Sequence, residues 1–125
     1  MSNTKQLITD SEYAIMKVLW QSTEKLTVAD VCAGLSGKEW TPSTVSTLLQ
    51  RLAKKEVIGF EKRGKAHYYF PILKKDEYSV NETRSLIQKL YDGSLKNLVA
   101  ALTENKAISK NEIAELKEMF NLDEE

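Results

Sequence analysis

Val45, Leu48, Leu49 and Leu52 recur at the i, i+3, i+4, i+7 spacing of a single helical face. This stripe requires the segment WTPSTVSTLLQRL, residues 40–52, to be a helix pressed against a core. Thr41-Pro42 marks its start. Threonine is a good N-cap, and proline is tolerated at the first helical position, where no intrahelical donor is lost. The remaining positions are poor helix material. Ser43, Thr44, Ser46 and Thr47 carry hydroxyls that compete for nearby backbone groups. At about 100° per residue, Ser43, Thr47, Gln50 and Lys54 gather opposite the leucines, flanked by Thr44, Ser46 and Arg51. No carboxylate occurs from Trp40 to Lys55. The surface is contiguous, rich in hydroxyls and free of acids.

The neighbouring segments complete a unit around this helix. TDSEYAIMKVLW reads as a first helix, with Thr9 and Glu12 in capping-box spacing and Ile15/Leu19 and Met16/Trp20 as i,i+4 apolar pairs. Gln21 to Leu26 reads as a polar loop. Thr27 then caps a short helix with Val28, Val31, Cys32 and Leu35 as its apolar stripe, ended by Ser36-Gly37. After the hydroxyl-rich helix, VIGFEKRGKAHYYFP alternates into two short β-favouring runs around Arg63-Gly64-Lys65. Gly64 can take φ > 0, so this is a hairpin with a basic tip, closed by Pro71. From Asp76 the texture is helical. Val80, Leu86, Ile87 and Leu90 mark one helix, and Gly93 breaks it. Leu95, Leu98, Val99 and Leu102 mark the next, and a Ser109/Glu112 capping box precedes Ile113, Leu116 and Phe120.

Charge is distributed unevenly. The 125-residue chain has a formal net charge of zero, with 18 basic and 18 acidic residues. Residues 51–76 hold eight bases against three acids, a net of +5. Residues 101–125 hold three bases against seven acids, a net of −4. A basic middle suits an anionic partner. With 42% hydrophobic and 29% charged residues, no run approaches the roughly 20 apolar residues of a membrane span. MSNTKQLITD has no apolar h-region, so neither a secretory signal nor a membrane partner is expected. A single cysteine excludes an internal disulfide and suits the cytoplasm.

Helix, helix, proline-started helix and basic hairpin is the order of a winged helix-turn-helix. The expected fold is mainly α with a small β hairpin: a winged-helix domain over residues 1–74, followed by a helical dimerisation domain over 75–125. The third helix would enter the major groove by its N-terminal half. Hydroxyls donate or accept at base edges, and a threonine methyl can meet a thymine methyl. The expected DNA-binding residues are Thr41, Ser43, Thr44, Ser46, Thr47, Gln50, Arg51 and Lys54 on the helix and Lys62, Arg63 and Lys65 on the wing. Three short C-terminal helices cannot easily bury their own apolar surface, so Leu86, Leu90, Leu95, Leu98, Val99, Leu102, Ile113, Leu116 and Phe120 are expected to form a homodimer core. The alternative is that these helices pack back on the first domain.

The stretches ITDSEYAIMKVLW, WTPSTVSTLLQRLAKKEVIGFEKRGKAHYYFP, LYDGSLKNLVAALTE and ISKNEIAELKEMF resemble the BlaI/MecI/CopY family of bacterial transcriptional repressors across nearly the whole chain. The resemblance implies a homodimer on a palindromic DNA operator. It assigns base-reaching positions to Thr44 and Thr47, a backbone-side basic position to Arg51, and the wing tip to Arg63 and Lys65. Ser43 and Ser46 stand where relatives often carry lysine or arginine. Copper-responsive members have a C-terminal CxCxxxxCxC cluster, whereas the tail FNLDEE has no cysteine, and Cys32 and His67 alone make no thiolate site. Penicillinase-type members are inactivated by a protease at an Asn-Phe bond. The matching bond here is Ala101-Leu102, so that signal is changed.

Two readings from other classes stand beside this one. A winged-helix domain can serve protein–protein contact without sequence-specific DNA binding, which a wing without basic residues would favour. An enzyme would need a nucleophile with a base, a metal-ligand spacing or a Gly-rich phosphate loop, and none is present. No catalytic residue, metal site or cofactor is expected.

Overall fold

The computed structural model of the chain describes residues 8–123, with side chains through residue 119. The elements run α1 (Asp10–Gln21), α2 (Val28–Gly34), α3 (Pro42–Lys54), β1 (Ile58–Arg63), β2 (Ala66–Pro71), α4 (Lys75–Tyr91), α5 (Leu95–Glu104) and α6 (Lys110–Asp123). The chain divides into two compact units, one ending at Ser79 and the other starting at Val80, and α4 runs through the division.

In the first unit α1 begins where the capping box predicts. The Thr9 hydroxyl accepts the Glu12 backbone N–H at 3.1 Å, and the Glu12 carboxylate accepts the Thr9 N–H at 3.0 Å. The same device opens α2, where Thr27 and Asp30 exchange the equivalent pair of bonds. Ile15, Met16 and Leu19 of α1, Val31 of α2 and the four predicted residues of α3 form one buried cluster with Val57, Ile58, Tyr69, Leu73 and Tyr78. Each such side chain contributes on the order of 2 kcal/mol by leaving water. α3 ends with Glu56 in the left-handed region (φ 66), and the Val57 N–H reaches back to the Leu52 carbonyl at 3.2 Å. This closing turn delivers the chain directly into β1.

β1 and β2 pair antiparallel from Ile58↔Pro71 to Arg63↔Ala66, so Gly64 and Lys65 make a two-residue loop. Gly64 leads that loop at φ 63, as a primed hairpin turn needs. Gly59 sits directly opposite Phe70, whose ring lies over it: a Cβ at Gly59 would come within 2.7 Å of the ring. The stretch expected as a plain polar loop, Gln21 to Leu26, does more than connect. Leu26 exchanges two backbone hydrogen bonds with Tyr69, at 2.9 and 2.7 Å, and so forms a single antiparallel bridge on the other edge of β2. After β2, the Val57 carbonyl accepts the N–H groups of both Ile72 and Leu73, and the Trp20 indole donates to the Leu73 carbonyl at 2.9 Å. Tyr78 then joins Tyr13 and Trp20 in an aromatic cluster with ring centres 5.8–6.1 Å apart. The first unit thus takes in Tyr78, past the boundary expected at residue 74.

The second unit is helical throughout. Asp92 (φ 50) and Gly93 (φ 85) break the chain between α4 and α5. Ser94 caps α5 through the Asn97 N–H, and Ser109 and Glu112 form the predicted capping box before α6.

Glu12 is the only charged side chain buried in the first unit's described residues, at 1% exposed, and it receives the Lys55 ammonium from the end of α3. Burial alone would raise its carboxyl. The ammonium of Lys55 and the N–H groups and hydroxyl around Thr9 outweigh that and hold it below its ordinary value. Glu12→Gln should cost about 2 kcal/mol at pH 7, less than a fully buried broken pair because Lys55 can turn to water. Urea melts measure this directly. The pair's contribution is complete above the ordinary carboxyl value of 4.5 and is lost as pH falls through the depressed one. The difference between wild type and variant should therefore shrink as pH falls below 4.5.

Candidate nucleic-acid interface

α3 forms despite a modest helix propensity along its exposed face. Its hydroxyls are accommodated in pairs. Thr41 accepts the Thr44 N–H at 3.2 Å and points its own proton at the Thr44 hydroxyl, also at 3.2 Å. Thr47 donates to the Ser43 carbonyl at 3.1 Å, and the Gln50 amide donates to the Ser46 hydroxyl at 3.2 Å. The hydroxyls of Thr41, Thr44, Ser46 and Thr47, which could compete with the helix, instead bond within it, three or four residues away. Thr41, Ser43, Thr44, Thr47, Gln50, Arg51 and Lys54 are exposed, and Ser46 is half-buried at the edge of the core face. The first turn holds no acid, and Arg51 and Lys54 stand in the last turn, where cations complement the helix dipole. The N-terminal half therefore presents hydroxyls, the C-terminal half positive charge.

β1 packs against α3 within the same unit. Strand alternation divides the hairpin's cations between its faces. Lys62 lies on the face of Ile58, Phe60, His67 and Tyr69, while Arg63 lies on the face of Gly59, Glu61, Tyr68 and Phe70. Lys65 is exposed in the turn. Arg63 is engaged: its guanidinium donates to Glu61 at 3.2 and 3.4 Å and lies 4.4 Å from the centre of the Tyr68 ring. Glu61 also accepts from Lys25 at 2.7 Å, and the Lys25 ammonium lies 5.0 Å from the centre of the Phe70 ring. The Lys25 hydrogen bond, then those of Arg63, hold the Glu61 carboxyl down to about 2. Lys25 and Glu61 were not among the expected site residues. Lys25 reaches the wing only because Leu26 pairs with Tyr69, and nothing local in the sequence marks that pairing.

His67 stacks on Phe60 at 4.6 Å between ring centres, and Cys32 is half-buried on α2. Among the described residues no group of three or more His, Cys, Asp or Glu side chains could hold a metal ion, and no helix is long and apolar enough to cross a membrane. In the second unit, Leu86, Leu90, Leu95 and Leu116 are exposed, with Leu95 at 59%. Leu98, Val99, Leu102 and Ile113 are half-buried. α5 has no fully buried residue. The side chain of Phe120 lies outside the described residues.

The profile of the family described as "Penicillinase repressor" matches residues 8–121. The chain is 32% identical over 114 residues to a penicillinase repressor of Bacillus licheniformis, covering 90% of this chain and 88% of that one. It is 29% identical over 121 residues to a penicillinase repressor of Staphylococcus aureus, covering 97% and 96%. Among solved structures, the DNA binding domain of the repressor BlaI, determined in solution, matches with a TM-score of 0.51 at 32% identity, covering 58% of this chain and 89% of that domain.

The cap at Thr41 makes the entrance of α3 a separable feature. Thr41→Ala should cost about 1 kcal/mol and fray the first turn. Thermal melts should register the loss, and the Thr44 amide, which loses its acceptor, should exchange with deuterium faster than those of Leu48 and Leu49.

Proposed function

The chain belongs to the penicillinase repressor family, a family of transcriptional repressors rather than enzymes, and on that premise we propose that it is a dimeric repressor. It grips a palindromic operator in double-stranded DNA through α3 and the hairpin, and an inducing signal releases it. The observation that carries this reading is the exposed face of α3, where hydroxyls, Gln50, Arg51 and Lys54 stand together without a carboxylate. Such a face can approach phosphates and base edges without repulsion. Thr44 and Thr47 read bases from the N-terminal half of α3. Thr41, Ser43, Ser46 and Gln50 lie around them at groove depth, and Arg51 and Lys54 meet backbone phosphates. Lys62, Arg63 and Lys65 add the sequence-independent attraction of the wing.

The exposed leucines of the second unit support dimerisation. A set of large apolar side chains left in water is the usual mark of a surface awaiting a partner, and a second copy matches a two-fold operator. The dimer would act in the cytoplasm, where the DNA is. An inactivating protease acting at Ala101-Leu102 would first have to open the last turn of α5, because both residues lie within the helix and half-buried.

Mobility shift on the DNA upstream of the protein's own gene, against random-sequence competitor, tests the reading: a discrete complex that outlasts the competitor is expected. Binding lost equally to competitor would favour a winged-helix domain used for protein contact. Thr47→Ala removes a hydroxyl and a methyl while leaving a better helix former. It should cost roughly 1–3 kcal/mol on the operator and little on random DNA; equal losses on both would remove Thr47 from base reading. Truncation after Ser79 keeps Tyr78 in its aromatic cluster and should give a monomer by light scattering, whereas a persistent dimer would move the interface into the first unit.

A further inference from the structure

Two cations converge on one carboxylate at the wing. Lys25 comes from the segment before α2, Arg63 from β1, and both oxygens of Glu61 are engaged. We propose that Glu61 is a resident substitute for a DNA phosphate: in the free protein it occupies Lys25 and Arg63, and so holds down the wing's affinity for DNA of any sequence. The proposal rests on the DNA-binding reading above and adds Lys25 to the phosphate-facing set.

The chemistry of the cluster favours exchange. A guanidinium fork fits a carboxylate and a phosphate alike, and an ammonium serves either as a point charge. Glu61 keeps its charge at any pH in which the protein works, since its neighbours hold its carboxyl down to about 2. Its side chain and those of Lys25 and Arg63 are each around half exposed, so the ion pairs are screened and cheap to trade. The aromatic shelves matter as well. Phe70 lies under Lys25 and Tyr68 under Arg63, so both cations keep a resting place when the carboxylate is displaced. A phosphate arriving at this face must compete with a carboxylate already there. Random DNA meets that competition without help from base contacts, whereas an operator held by α3 brings its phosphate to the wing at high local concentration. Glu61 thus suppresses non-specific binding more than specific binding.

Glu61→Gln keeps the shape of the side chain and removes its charge. Its affinity for a labelled random-sequence duplex, measured by fluorescence anisotropy across a sodium chloride titration, should rise on the order of fivefold to tenfold at 0.1 M salt, with a salt slope steeper by about 0.9 for each phosphate gained. Affinity for the DNA upstream of the gene should rise less, so the ratio between the two falls. Unchanged or weaker binding to the random duplex would overturn the proposal, leaving Glu61 as a residue that positions Arg63 for DNA. The same substitution in a Lys25→Gln, Arg63→Gln background should give little gain. An equal gain there would reflect general relief of repulsion and would equally overturn it. A wild-type protein that binds neither duplex would remove the DNA-binding reading, whereas a wild type that binds while Glu61→Gln changes nothing removes this inference alone.

Discussion

Glu12 closes the first turn of α1 and receives Lys55 from beyond the end of α3. One carboxylate therefore joins the helix that opens the first unit to the helix that carries the exposed hydroxyls. Apolar packing between these helices is strong but non-directional: Ile15, Met16 and Leu19 could meet Val45, Leu48, Leu49 and Leu52 at more than one offset along the axes. An ion pair at 1% exposure on the carboxylate side has little such freedom, because displacing it leaves a buried charge without a partner. The leucines supply the energy and the ion pair supplies the register. The hairpin inherits it, since the turn at Glu56 leads straight into β1, and the Val57 carbonyl then collects Ile72 and Leu73 at the far end of the hairpin.

The composition of α3 is a compromise between helix stability and surface chemistry. A face of alanine, lysine and glutamate would make a better helix, but glutamate would repel an anionic partner. Serine and threonine avoid that repulsion and cost some stability, and the structure limits the cost by turning their hydroxyls onto groups one turn away. These internal bonds are exposed, near 3.2 Å and individually weak. A base edge or phosphate can replace them with little loss. The same bonds restrain rotamers in the free protein, so less side-chain freedom remains to be lost on binding.

What the sequence made legible was mostly local. The capping boxes at Thr9 and Ser109, the Thr41-Pro42 start, the leucine stripe and the turn at Gly64 each lie within a few residues, and each stands where the pattern put it. The exposed face of α3 was legible for the same reason, since a helix's outer face follows from its inner one. The rest depends on contacts distant in sequence. Lys55 and Glu12 are 43 residues apart, and Lys25 and Glu61 are 36 apart. Leu26 looks like the end of a polar loop until β2 arrives beside it. The division of Lys62 from Arg63 is different in kind: strand alternation already implied it, but counting basic residues at a hairpin tip concealed it.

Net charge in a small DNA-binding fold conceals where the individual charges stand. Residues 51–76 carry a net of +5, which suggests a uniformly attractive surface. Locally the arrangement is less simple. Arg63 shares a carboxylate with Lys25, Lys55 is committed to Glu12, and Lys62 faces away from Arg63. The charges on the exposed side of α3, Arg51 and Lys54, have no acid within their own helix. Attraction is therefore unopposed within the helix that carries the hydroxyls and is tempered at Arg63 of the wing. A repressor must leave random DNA readily in order to find its operator, and free positive charge at every edge would slow that search. Placing Arg51 and Lys54, with no acid in their own helix, beside the exposed hydroxyls couples electrostatic attraction to the surface that carries the hydrogen-bonding groups.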